Sequence, residues 1–170
     1  YRQLRALGLS VLAPEYRGFA GLAGVPTEQG VYADARAAFD YLTGTLHVPP
    51  TRIVIYGWSL GSAAAVDLAA NVDEAALIVE GAPASLVGIG ARRYPLFPIR
   101  LIMRNPFESI AKVDRVHSPM LFLHSPDDTI IPFPHGTAMF ARAAEPKRLV
   151  RLAGGHIYPN AEDADRYSAA

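Results

Sequence analysis

The sequence contains no cysteine, no excess of charge of either sign and no long uninterrupted apolar run. The missing cysteines exclude disulfides, catalytic thiols and cysteine-ligated metals. Sixteen lysines and arginines balance sixteen aspartates and glutamates without a long block of one sign, so we expect no nucleic-acid partner. No apolar stretch is long enough to span a bilayer, and no basic and then apolar leader stands at the amino end.

The sequence does contain enough apolar residues for a packed core. Of its 170 residues, 51% are hydrophobic and 19% are charged, which predicts a single globular domain over residues 1–170. The chain begins at Tyr1, without Met, in a segment that reads as the last turns of a helix ended by Gly8. We therefore expect a fragment or a processed form, either cytoplasmic or anchored to a membrane through a missing amino-terminal segment. Nothing in the sequence indicates an oligomeric state.

Short apolar runs alternate with helical patterns along the chain. Strands are predicted at residues 9–13 and within 51–57, 75–83, 119–125 and 147–155, and helices at 27–43, 59–70, 135–144 and from residue 160 onwards. The run at 51–57 has the composition of a strand buried on both faces. Prolines divide residues 83–117 into irregular helical pieces, which we interpret as a lid-like excursion. The alternation predicts an α/β protein with three layers, α/β/α, around a mostly parallel sheet.

A serine stands where one strand pattern turns into a helix pattern, in "IVIYGWSLGSAAAVDLAA". A nucleophile at such a corner needs a tight turn with small flanking residues, and Gly57 and Gly61 meet that requirement. The helix that follows places its positive end beside Ser59, and the N–H of Leu60 can donate to an oxyanion. The pattern therefore predicts a nucleophile elbow at Ser59, the alternative being a plain strand-to-helix turn.

A nucleophilic serine needs a base, and the base needs an acceptor that fixes its tautomer. Asp127 and Asp128 follow the strand in "LFLHSPDDTIIP", and from their spacing either could be the acceptor. His156 follows the last strand, where the preceding glycines allow the bend that would carry its ring over Ser59. His135 is the rival base, at the start of a helix where it would line the rim or cap the helix. His124, at a strand end, is predicted to be a buried, hydrogen-bonded histidine.

These loops, in this order, resemble the small serine hydrolases of the α/β-hydrolase superfamily, of the α/β-hydrolase-domain and prolyl-oligopeptidase-like types. The resemblance covers almost the whole chain and rests on "PEYRGFAG", "GWSLGS", "SPMLFLHSPDDTIIPFPHG" and "GGH". It implies the α/β-hydrolase fold, with Ser59 as nucleophile, Asp128 as acid and His156 as base. It implies no metal and no organic cofactor.

The chain departs from the pattern of that superfamily in three places. Glu15 and Ala20 replace an aspartate and a glycine of the family's Asp-Tyr-Arg-Gly-x-Gly loop, and Ser125 stands where the family usually has glycine. The family also carries, upstream, a strand ending in a His-Gly motif that completes the oxyanion hole, and nothing of that kind precedes Tyr1. We therefore expect an N-terminally truncated fold in which the strand at 9–13 has lost a neighbour.

The function implied is hydrolysis of a small-molecule carboxylic ester or thioester through an acyl-enzyme. Tyr16 and Trp58, with the apolar residues of the excursion, are candidates for the acyl pocket, although both could be packing residues. The alternative is a catalytically weak or inactive fragment, or a binding domain, because the oxyanion hole would be incomplete. A peptidase or a cofactor-free haloperoxidase-like reaction on the same three residues also stays open.

Overall fold

A computed structural model describes residues 2–157, of which the side chains are described from Leu4 onwards. Two compact units make up the chain, Tyr1–His47 and Val48–Ala170. The predicted closing helix from residue 160 lies outside the described residues. The prediction of a single domain stays a prediction.

The first unit contains two helices joined by a loop. Helix α1 spans Arg2–Ala6 and α2 spans Glu28–Asp40, continued by one π-helical turn at Tyr41–Thr45. The Thr27 side chain caps α2 by accepting a hydrogen bond from the N–H of Gly30, 3.1 Å away, as its sequence position predicts. The loop is fastened to α2 by Arg17, whose guanidinium lies 2.6 Å from the Asp34 carboxylate. These hydrogen bonds from Arg17 lower the pKa of Asp34.

Residues 9–13 are not a strand, contrary to the sequence prediction. Within residues 2–157, every strand lies between Val54 and Arg151, and residues 9–16 have no regular structure. Leu9 and Leu12 are exposed. A strand exists only as part of a hydrogen-bonded ladder, so an apolar run without a paired neighbour gains nothing from the extended conformation.

The second unit is built on a four-stranded parallel sheet in the order β1-β2-β3-β4. The strands are β1 Val54–Trp58, β2 Ala76–Glu80, β3 Met120–His124 and β4 Lys147–Arg151. In the register of the first pair, Gly57 lies opposite Val79 and Trp58 opposite Glu80. Four of the predicted strands are therefore confirmed, and they are parallel as predicted.

Helix α3, Leu60–Ala69, packs on β1 and β2. Strand β1 is buried on one face only, which corrects the prediction of two buried faces. Ile55 and Gly57 are buried, whereas Val54, Tyr56 and Trp58 are at least one-third exposed. The physical reason is that α3 covers the face that carries Gly57, while β1 is at the end of the sheet.

The segment between β2 and β3 consists of short helices, as its prolines predict. Helix α4 spans Leu86–Arg93 and α5 spans Ile99–Ile102, and two 3-10 turns, Ser109–Ala111 and Val113–Arg115, lead into β3. Helix α6, Phe133–Arg142, follows β3 and packs against it. In the part of the chain that the structure describes, no helix is long and apolar enough to cross a membrane.

Candidate active site

Ser59 occupies a strained turn between β1 and α3. Its φ of 53° and ψ of −125° lie in a region that side chains other than glycine rarely adopt, at a cost of about 1–3 kcal/mol. The turn is held because the Ser59 N–H donates to the Glu80 carbonyl at 2.8 Å and its carbonyl accepts from the Ser62 N–H at 3.0 Å. The Ser62 hydroxyl donates to the Gly57 carbonyl, 2.8 Å away. The Ser59 hydroxyl is thus fixed at the carboxyl end of the sheet.

The two glycines that flank Ser59 differ in their surroundings. A Cβ on Gly57 would lie 2.5 Å from the Gly61 carbonyl oxygen, 2.6 Å from Ser62 Cα and 2.7 Å from Ala65 Cβ, so β1 can approach α3 only without a side chain there. A Cβ on Gly61 would meet nothing within 4 Å. The expectation that Gly61 must be small is therefore wrong, because its Cβ position faces open space.

The structure brings Ser59, His156 and Asp128 together. His156 Nε2 lies 2.8 Å from Ser59 Oγ, and His156 Nδ1 lies 2.6 Å from Asp128 Oδ2. Because the Asp128 carboxylate can accept a hydrogen bond only from a protonated Nδ1, the proton of a neutral imidazole is held on Nδ1. Nε2 is then left as an acceptor for the serine hydroxyl. The first contact joins residues 97 positions apart in the sequence, and the second joins residues 28 positions apart.

The Asp128 carboxylate is buried and held from both of its oxygens. Oδ1 accepts the N–H groups of Ile130 and Ile131 at 2.9 and 2.7 Å, while Oδ2 faces His156. His124 Nε2 lies 3.4 Å from the same Oδ2. The carboxylate therefore cannot rotate without breaking several hydrogen bonds, and it fixes the direction of the imidazole.

Asp127 and His135 bond to groups other than the three residues, whereas His124 lies beside Asp128. Asp127 is exposed, and its N–H donates to the Ser125 hydroxyl at 3.1 Å. His135 Nδ1 accepts the N–H of Ala84 at 3.3 Å, and burial is the main reason that its pKa is lowered. His124 is buried, and its Nε2 lies 2.9 Å from the Ile131 carbonyl, as predicted for a hydrogen-bonded histidine. Burial also lowers the pKa of His124.

Three further residues are predicted from the sequence to bind the substrate or its oxyanion. Trp58 is 44% exposed and stacks on the His156 ring, with ring centroids 5.6 Å apart and planes at 23°. Leu60 is the first residue of α3, where N–H groups have no partner within the helix and the helix dipole is positive. Tyr16 belongs to the first unit, and its predicted place in the acyl pocket stays a prediction.

Two residues beside the site were not identified from the sequence. The Ser125 hydroxyl donates a short hydrogen bond to the Gly154 carbonyl and accepts from the Asp127 N–H, so it links the loop of Asp128 to the loop of His156. Gly81, with a φ of 54°, lies so close that an added Cβ would be 3.1 Å from His156 Cε1. The sequence shows Ser125 only as a replacement of the family's glycine, because its hydrogen-bond partner is 29 residues away. Among residues 2–157, no group of three or more histidines or carboxylates is placed to hold a metal ion.

Comparisons with known proteins give relatives but no matching protein-family profile. The chain is 44% identical over 161 residues to an uncharacterized protein of Mycobacterium tuberculosis, which covers 94% of this chain and 57% of that protein. It is 31% identical over 153 residues to the alpha/beta hydrolase domain-containing protein 17B of Homo sapiens, which covers 88% of this chain and 51% of that protein. The chain therefore spans about half the length of the curated relatives it matches.

Solved structures have the same fold. The esterase domain of a Rhodothermus marinus protein superimposes with a TM-score of 0.71 at 26% identity, covering 98% of this chain and 73% of that one. An α/β hydrolase of Vibrio vulnificus gives a TM-score of 0.78 at 21% identity, covering 99% of this chain and 66% of that one. These similarities agree with the parallel sheet and with the strained serine turn after β1. The chain therefore belongs to the α/β-hydrolase superfamily.

Proposed function

We propose that this protein hydrolyses carboxylic esters or thioesters through an acyl-enzyme formed on Ser59. The observation that supports the proposal most is the unbroken chain of hydrogen bonds from Ser59 through His156 to Asp128, with heavy-atom distances of 2.8 and 2.6 Å. A serine hydroxyl at neutral pH is a weak nucleophile, and a histidine within hydrogen-bonding reach is the group that activates it.

In the first half of the reaction, His156 Nε2 takes the proton of the Ser59 hydroxyl while Oγ forms a bond to the substrate carbonyl carbon. The tetrahedral oxyanion is stabilised by the Leu60 N–H at the positive end of α3. The imidazolium, stabilised by Asp128, then donates its proton to the departing alkoxide or thiolate, and the acyl group stays on Ser59. In the second half, water attacks the acyl carbon, His156 accepts its proton, and the acid is released when Oγ regains that proton.

The choice of esters and thioesters rests on the surroundings of Ser59 and on similarity. The indole of Trp58 is 44% exposed and stacks on the His156 ring, so it offers an apolar surface beside the histidine that contacts Ser59. The Rhodothermus marinus structure that superimposes on this chain is of an esterase domain. Esters and thioesters have better leaving groups than amides, so their hydrolysis needs less stabilisation of the oxyanion. This suits a chain on which one oxyanion donor, the Leu60 N–H, is assigned.

The proposal is tested by turnover of short p-nitrophenyl esters and of an acyl thioester by purified variants. We expect Ser59→Ala and His156→Gln to lose at least about a thousandfold in kcat/KM, because the three residues act together and the loss of one removes most of the contribution of all three. Asp128→Asn should lose about 100- to 10,000-fold, because an amide at this position no longer fixes the tautomer. All variants should show the circular-dichroism spectrum of the wild type.

Two matched controls make the assay specific for the three residues. Asp127→Asn changes the adjacent, exposed aspartate, and His135→Gln changes the histidine that bonds to Ala84. Both should keep turnover within about twofold of the wild type. The proposal would be contradicted if Asp127→Asn cost more than Asp128→Asn, or if Ser59→Ala kept the wild-type rate.

A further inference from the structure

The stretch that runs from the end of α4 through α5 carries four exposed large apolar side chains, including the two most exposed among the described residues. Leu96 is 95% exposed and Leu101 is 85% exposed, and Phe97 and Ile102 are 62% and 59% exposed. We call these four residues the apolar tip. Large apolar side chains that project singly are common on protein surfaces, but four within seven residues of sequence indicate a surface that is covered in function.

The segment that carries the apolar tip is packed against its own neighbours. Ile99 is buried, and Gly90 in α4 allows its close approach, because a Cβ on Gly90 would lie 3.0 Å from Ile99 Cγ2. The N–H of Tyr94 donates to the Gly90 carbonyl at 2.9 Å, and the Tyr94 ring meets the Phe97 ring edge-on at 6.4 Å. The tip is therefore held outward by ordered structure.

The charged residues next to the apolar tip in the sequence all have one sign. Arg92 and Arg93 precede it, Arg100 lies within it and Arg104 follows it, and all four are exposed. None of the four takes part in an ion pair with another residue in the range 2–157. The sequence has no aspartate or glutamate from Gly81 to Phe107, although the chain as a whole is neutral. The segment therefore presents positive charge beside its apolar side chains.

We propose that the apolar tip and its four arginines bind the surface of an anionic lipid membrane. A specific protein partner usually buries about 800 Å² on each side and needs a shaped, partly polar surface. A bilayer interface accepts a few projecting apolar side chains directly, and its anionic headgroups attract arginines that flank them. The combination of outward leucines with basic residues of one sign therefore matches a membrane surface better than a protein.

The segment that carries the apolar tip begins at the end of the strand beside Ser59. The segment leaves the sheet after β2, and the last residue of β2, Glu80, holds the Ser59 N–H through its carbonyl. The binding itself needs no chemistry at Ser59, so it holds whether or not the proposed hydrolase reaction is correct.

The test is co-sedimentation of the purified protein with vesicles of phosphatidylcholine, alone or mixed with phosphatidylglycerol. We expect binding to the mixed vesicles, weakened by added salt because the arginine contribution is screened. The Leu96→Ser/Leu101→Ser variant should lose at least about tenfold in affinity, since two apolar side chains no longer leave water. The Arg100→Gln/Arg104→Gln variant should lose roughly fivefold for each arginine.

The control variant is Val25→Ser/Leu46→Ser, which removes two exposed apolar side chains from the first unit and should bind as the wild type does. Ser59→Ala should also bind as the wild type does. Equal melting temperatures would show that the variants are folded. The proposal is overturned if the wild type does not sediment with mixed vesicles, or if the tip variant binds as strongly as the control. It is also overturned if sedimentation velocity shows that the tip variant only converts a dimer to a monomer.

Discussion

Replacing Gly57 by alanine should destabilise the protein, whereas the same replacement at Gly61 should not. The two glycines are equivalent in the Gly-x-Ser-x-Gly pattern but not in the structure. The added Cβ at Gly57 would lie 2.5 Å from the Gly61 carbonyl oxygen and 2.6 Å from Ser62 Cα, both of them backbone atoms of α3. Because backbone cannot move aside as a flexible side chain can, α3 would have to shift away from β1.

Overpacking of this kind costs about 1–3 kcal/mol, and in a protein of this size each kcal/mol lowers the melting temperature by about 2–4 °C. We therefore expect Gly57→Ala to lower the melting temperature by roughly 2–12 °C. Turnover should fall as well, since α3 carries the Leu60 N–H. At Gly61 the Cβ meets open space, and alanine is preferred over glycine in a helix by up to about 1 kcal/mol. Gly61→Ala should therefore leave the melting temperature unchanged or raise it.

The assay is thermal unfolding of both variants followed by circular dichroism, together with ester turnover at a temperature where both are folded. If Gly61→Ala were as destabilising as Gly57→Ala, or if Gly57→Ala were neutral, the reasoning from the approach of α3 to β1 would be refuted. A loss of turnover without any loss of stability at Gly57 would mean that α3 shifts at no energetic cost, which the backbone contacts contradict.

Three further predictions concern the neighbours of Asp128 and His156. Ser125→Ala should lower the free energy of unfolding by about 1 kcal/mol, measured by urea denaturation, because the hydrogen bonds of the buried hydroxyl to two partly exposed backbone groups are lost; an unchanged midpoint would contradict this. Burial lowers the pKa of His124 in the folded state, so the unfolded chain binds the proton more readily. The contribution of neutral His124 to the free energy of unfolding is complete above about pH 6.5 and is lost as the pH falls below that value. Between pH 8 and pH 5 the melting temperature should therefore fall less in His124→Gln than in the wild type. Gly81→Ala should reduce kcat about tenfold by displacing the His156 ring, with Gly155→Ala, which meets nothing within 4 Å, as the unaffected control.

Local sequence patterns predicted much of the fold because the elements concerned are stabilised locally. Thr27 caps α2 through a hydrogen bond to a residue three positions away, and the apolar runs of β1 to β4 are bounded by turn residues. The corner at Ser59 was readable because a strand pattern changes into a helix pattern within a few residues. Residues 9–13 have the same strand composition, yet no ladder includes them, and composition cannot report whether a partner strand is present.

The contacts that organise the candidate site are long-range, and local patterns predicted them only in part. The choice of Asp128 over Asp127 followed from resemblance, and in the structure Asp128 is buried beside His156 while Asp127 is exposed. The link from Ser125 to Gly154 and the approach of Gly81 to the imidazole depend on how two loops meet after folding. Local patterns in a single sequence do not reveal which distant loops come into contact.

The central claim is that Ser59 is an activated nucleophile, and covalent labelling by a fluorophosphonate probe tests it most directly. We predict a single adduct, located by peptide mass spectrometry on Ser59, that is absent from Ser59→Ala and forms at a much lower rate in His156→Gln. Equal labelling of the wild type and Ser59→Ala, or an adduct on another serine, would contradict the account.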